Sequence, residues 1–133
     1  METDPLKVVK GVYESHSNRD TSSLIDLLDP DVEWFEAQSH PYARKRPWRG
    51  PDEVVEEVVK HINEDWVDYQ TEVLGMFSCG ETVFVLGRYT GVYKRTGESL
   101  DAEVCTVYTV RDGLIVKWQQ FTDTFQFHQI ISR

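Results

Sequence analysis

Three glycine-bearing turns divide the second half of this chain: SCGE at 78–81, RTGE at 95–98 and RDGL at 111–114. Short turns of this kind join antiparallel neighbours. They separate four runs of alternating polar and apolar residues, roughly 66–77, 82–94, 99–111 and 115–122. Strands of about a dozen residues in a meander twist strongly and need a layer over one face.

The first half supplies that layer. Leu6, Val9, Val12, Tyr13 and His16 fall at helical spacing in Pro5–His16. Asp20 caps a second short helix holding Leu24, Ile25, Leu27 and Leu28, which Pro30 is expected to stop. DVEWFEAQ, Asp31 to Gln38, reads as a strand. After a polar loop, GPDEVVEEVVKHI starts a third helix, with Gly50 as cap, Pro51 at the first helical position, and Asp52 and Glu53 favouring the N-terminal dipole. Val54, Val55, Val58, Val59 and Ile62 form its apolar stripe. DTFQFHQII closes the sequence as a short helix capped by Asp123.

Composition restricts function more than fold. The net charge is −9 over 133 residues, which argues against nucleic acid or anionic membrane as partner. The basic stretch RKRPWR, Arg44–Arg49, contains a proline turn and reads as a solvated loop. Cys79 and Cys105 form no disulfide framework. No apolar run approaches membrane-spanning length, and METDPLKVVK lacks a signal-peptide core. The expectation is a single cytoplasmic domain over residues 1–133. The four histidines show no HxH or HExxH spacing, and phosphate-loop and GxSxG motifs are absent. Neither a metal nor a cofactor is expected.

Strand parity separates an inner set from an outer one. The inner set holds Val83, Val85, Tyr89 and Tyr93, then Ala102, Val104, Thr106 and Tyr108, then Val116, Trp118 and Gln120. Aromatic bulk with scattered hydroxyls and one amide suits a small-molecule pocket. On the first strand Val32, Trp34 and Glu36 share a face, so Glu36 turns inward with Trp34. Burial raises a carboxyl pKa, which suits a general base near neutral pH. The outer set still carries Phe84, Leu86, Cys105, Val107 and Phe121, too apolar for a solvated face. A second subunit is expected there, making a homodimer.

This order of elements, with LLDPDVEW, RGPDEVVE, GRYTG and VYTVRDGLIVKWQQFTD, resembles the SnoaL-like, ketosteroid isomerase-like branch of the NTF2-like superfamily. The resemblance covers nearly the whole chain. It implies an α+β cone: a strongly curved antiparallel sheet with about three helices covering the concave face and a pocket for a small apolar ligand. It implies isomerase-, cyclase- or dehydratase-type proton transfer, or ligand binding without chemistry, or a structural dimer whose cavity its own side chains fill.

Laid along ketosteroid isomerase, the base position falls on Glu36 and one oxyanion-hole position on Thr106. The other falls near Val12, with Tyr13 one residue away. The Asp-Arg-Asp set of limonene epoxide hydrolase is missing, since Gln120, Gly87 and Tyr89 stand in its places. Asp123 is a weaker match to the acid/base aspartate of SnoaL-type cyclases and reads more simply as a helix cap. Trp34, Tyr13, His40, Tyr89, Tyr93, Thr106, Tyr108, Trp118 and Gln120 are the expected ligand-binding set, with His40 in a loop over the mouth.

Overall fold

A computed structural model of the chain describes residues 2–132. Helix α1 (Pro5–Ser17) is capped by Asp4, whose carboxylate accepts from the Leu6 amide. Helix α2 (Thr21–Leu27) is capped by Asp20, which accepts from the Ser23 amide. The helix ends before Pro30. Strand β1 (Leu28–Phe35) already begins at Leu28, and Pro30 lies inside it. Regular pairing of β1 is interrupted between Leu28 and Glu33, as expected where proline has no N–H to donate.

Strand β2 (Trp48–Arg49) leads into α3 (Gly50–Val54), and the cap is Arg49 rather than Gly50. Gly50 has φ +78°, a left-handed conformation that suits glycine. Glu53 reaches back to accept from the Arg49 amide at 2.8 Å. The helix runs on through a π-helical segment, Val55–Val59, into α4 (Lys60–Asp65).

The meander follows as β3 (Trp66–Cys79), β4 (Thr82–Tyr93), β5 (Ser99–Arg111) and β6 (Leu114–Thr122). The glycines read as turn residues, Gly80, Gly97 and Gly113, have φ of 60°, 71° and 80°. The sheet order is β2-β1-β6-β5-β4-β3. Every pairing is antiparallel except β1 with β6, so the sheet is mixed rather than wholly antiparallel. Parallel neighbours need a long crossover, and here the intervening chain includes α3, α4 and the rest of the meander.

Side-chain alternation holds along β4 and β5. Val83, Val85, Tyr89, Ala102, Val104, Thr106 and Tyr108 are buried, while Phe84, Leu86, Asp101 and Glu103 are exposed. On β6 it breaks once. Thr109 pairs with Lys117 but Val110 with Ile115, so Val116 is an extra, bulged residue. Ile115, not Val116, therefore enters the core.

Helix α1 packs across the concave face, touching β3, β4, β5 and β6. Helix α5 (Thr124–Ile131) closes the far end, with Phe127 and Ile130 buried. The Gln126 side chain holds it to β5, accepting from the Asp101 amide and donating to the Asp101 carbonyl. Asp123 caps α5 by accepting from the Gln126 amide at 3.1 Å. Asp123→Ala should lower stability by about 1 kcal/mol in chemical denaturation. It should leave the chemistry proposed below unchanged.

Candidate functional site

A cavity of about 800 Å³ lies between the concave sheet and helices α1, α2 and α4. Its aromatic wall includes Tyr13, Trp34, Trp66, Tyr89, Tyr108 and Trp118, with Val58, Val59 and Ile62 facing them from the helical side. The parallel pairing of β1 with β6 sets Trp34 opposite Trp118. Their rings stack at 3.9 Å and 8°, giving the wall a flat aromatic surface.

Hydroxyls are set into this wall. The Tyr108 hydroxyl donates to that of Tyr13 at 2.8 Å. Thr106 lines the cavity alongside Tyr13 and Tyr89. Burial pushes the Tyr13 phenol up to about 12 and also raises Tyr89 and Tyr108, so all three remain protonated donors near neutral pH. Tyr13 thus comes into the cavity although the family position for the oxyanion tyrosine falls one residue earlier.

Glu36 stands one residue beyond the end of β1 and is 2 % exposed. Its Oε2 accepts from Trp34 Nε1 at 3.2 Å. Among the described residues it has no ion-pair partner. The nearby cation, Arg46, donates to the Glu36 backbone carbonyl at 2.8 Å, not to the carboxylate. Burial without a counter-charge raises the carboxyl from 4.5 to about 8, against a smaller lowering by the Trp34 bond. Glu36 does not itself line the cavity. Its hydrogen-bond donor Trp34 does line it, as do Tyr69 and Tyr89, whose phenols an ionised Glu36 would push up further.

Gln120 is also buried and does not line the cavity. It accepts from the Ala37 amide at 3.1 Å and donates to the Tyr89 hydroxyl at 2.8 Å. The remaining expected residues stand apart from the cavity. His40 packs 4.5 Å from the ring of Phe127 on α5 and does not line the cavity. Its Nδ1 accepts from the Tyr42 amide, its Nε2 has no partner, and burial pushes its pKa down to about 3. Tyr93 packs on Trp66 at 5.0 Å in the second core cluster. Asp123 is exposed and engaged as the α5 cap.

The sequence reading missed Trp66 and Tyr69, which open β3 where a bulge breaks the alternation. Tyr42, which the sequence reading placed with His40 in the loop over the mouth, donates its hydroxyl to Asp65 at 2.9 Å and accepts from Trp66 Nε1 at 3.0 Å. That bond ties the 37–47 loop to the cavity wall. A second hollow, about 630 Å³, opens between Asp29, Glu33, Arg49 and Arg111. Its Arg49–Glu33 ion pair is a solvent-facing contact of the kind that contributes little.

A family model for the SnoaL-like domain matches residues 9–118. The chain belongs to the SnoaL-like family. Among solved structures, this SnoaL-like chain is similar to an NTF2-like protein from Burkholderia thailandensis, with 34 % identity over 98 % of both chains and a TM-score of 0.92. It shares its fold with TerC, co-crystallised with polyporic acid, at 21 % identity over 97 % of this chain and 98 % of that one (TM-score 0.85). A protein with a ketosteroid isomerase-like fold from Catenulispora acidiphila, in complex with trimethylamine, aligns at 12 % identity over 92 % and 90 % (TM-score 0.77). No curated protein matches the sequence. No helix of the SnoaL-like chain, among the described residues, is long and apolar enough to cross a membrane, and those residues include no cluster suited to hold a metal ion.

Proposed function

We propose that the cavity takes a small, flat, largely apolar molecule bearing a carbonyl group, and that Glu36, hydrogen-bonded to the cavity residue Trp34, reaches the bound molecule by a shift of that side chain and moves a proton on it. The observation that carries this reading is a fully buried carboxyl with no cation beside an aromatic cavity. Such a group is costly to bury and is rarely kept without a role. The protonated hydroxyls of Tyr13, Tyr89 and Thr106 would donate to the carbonyl oxygen as charge develops on it. The crystallisation of two fold neighbours with small molecules, polyporic acid and trimethylamine, is consistent with ligand binding.

The test is α-proton exchange into 2-tetralone in deuterated buffer, followed by NMR. Wild type should catalyse it with a rate that rises with pH and levels off above about 8, as the ionised carboxylate forms. Glu36→Gln should lower the catalysed rate by about 100-fold or more. Equal rates for the two proteins would remove Glu36 from the chemistry. The second reading is a binding protein without chemistry, favoured by a cavity lining that does not include Glu36. Tight 2-tetralone binding without exchange would select that reading.

We also propose that the chain forms a homodimer through the convex face of the sheet. Phe77 stands opposite Phe84, and Leu86, Cys105 and Phe121 form a continuous cross-strand row. Phe77, Leu86 and Phe121 are 58 %, 45 % and 54 % exposed, an apolar patch of the kind that marks an interface. Phe84→Asp should convert the dimer to monomer in sedimentation velocity. A wild-type monomer at micromolar concentration would refute the assignment.

A further inference from the structure

The side chain that braces the backbone beside Glu36 also fixes which way a cavity proton points. Gln120 is 3 % exposed, and its two polar ends face different partners. One end meets the Ala37 amide at 3.1 Å. A backbone amide only donates, so that end must be the Gln120 carbonyl oxygen. The other end is then the NH₂ group, 2.8 Å from the Tyr89 hydroxyl. An amide NH₂ only donates, so the Tyr89 oxygen accepts. The single hydroxyl hydrogen of Tyr89 is therefore left to point away from Gln120.

Tyr89 lines the cavity, and so does the hydroxyl-bearing Thr106 on the neighbouring strand. Where Tyr89 gives its hydrogen to Thr106, the Thr106 hydroxyl offers its own onward, and the chain still ends in a donor. The direction is anchored at Ala37 N–H, which cannot reverse. We infer that Gln120 locks the Tyr89–Thr106 hydroxyls as donors toward the cavity, so that this wall selects a ligand with an acceptor oxygen, of the ketone or quinone class. Gln120 is a positioning residue, and the inference rests on the reading of the cavity as a ligand site.

The test compares 9-fluorenone with fluorene, two flat molecules that differ at one carbon, a carbonyl in the first and a CH₂ in the second. Wild type should bind the ketone about 5-fold more tightly, the worth of one net hydrogen bond. Tyr89→Phe should bring the ratio toward one. Gln120→Leu should also lower it, because the Tyr89 hydroxyl is then free to rotate. Adding Gln120→Leu to Tyr89→Phe should lower it no further. Gln120→Glu at pH 5, where a buried carboxyl keeps its proton and donates as the amide does, should restore the preference.

Fluorene affinity should stay constant throughout, which separates positioning from collapse of the cavity. The inference is overturned if Gln120→Leu keeps the wild-type ratio, or lowers it equally in the Tyr89→Phe background. If wild type binds neither compound, the ligand-site reading fails on its own. The positioning is then read in the free protein from the C–O stretch of isotope-labelled Tyr89. That band must move in Gln120→Leu, and an unmoved band overturns the inference.

Discussion

Glu36→Gln should make the protein more stable in alkaline solution while leaving its stability near pH 4 almost unchanged. The folded-state pKa of Glu36, about 8, lies above its ordinary value of 4.5. Below pH 4.5 the carboxyl is protonated in both states and titration contributes no difference. Between 4.5 and 8 the unfolded chain releases the proton and the folded chain keeps it. The folded state then binds more protons, so wild-type stability falls as pH rises, at up to about 1.4 kcal/mol per pH unit. Above 8 both states are ionised and the loss levels off at roughly 5 kcal/mol. Glutamine has no proton to release and escapes this slope. Urea unfolding of both proteins at pH 4, 6 and 9 would show curves that diverge with pH. Parallel curves would mean that water or a counter-charge reaches the carboxyl.

Phe127→Ala should cost about 3–5 kcal/mol, the range for truncating a fully buried phenylalanine. Phe127 is 0 % exposed. Its ring meets those of His40, Trp66 and Tyr89 at 4.5, 5.9 and 6.3 Å. Three separate parts of the chain therefore lose a partner at once: the 37–47 loop, the start of β3 and the middle of β4. Water entering the hole would reach His40, whose neutral state depends on burial. Wild-type stability should fall as pH drops from 6.5 toward about 3, because the unfolded chain protonates His40 and the folded chain does not. The variant, with His40 hydrated in both states, should show a shallower acid slope in the same denaturation series. A loss under 1 kcal/mol would show that α5 contributes little to the core.

Local chemistry made much of this fold readable. The three glycine turns, the Asp20 and Asp123 caps and the alternation along β4 and β5 each depend on a few adjacent residues. The inward direction of Glu36 followed from its parity with Trp34, even though the strand ends at Phe35. What could not be read depends on distant segments. Nothing near Trp34 says that Trp118 will stack on it, and nothing near Tyr13 says that Tyr108 will bond to it. The bulge at Val116 reversed one position because an extra residue leaves no local mark. Whether Arg46 would neutralise Glu36 was a question of a few ångströms, and the guanidinium went to the backbone carbonyl instead.

The parallel contact between the first and last strands also bears on how fast this protein can fold. Ala37 and Gln120 are separated by 83 positions in sequence. Closing a loop of that length costs roughly 4 kcal/mol of chain entropy beyond the constant term, incurred before the contact itself can compensate. The β3–β4–β5 hairpins close much shorter loops and can form first. Glu36 should therefore acquire its buried surroundings late, when β6 docks beside β1. Until then its carboxyl is solvated and ordinary. A pH-jump refolding experiment should show proton uptake at Glu36 lagging behind the formation of sheet.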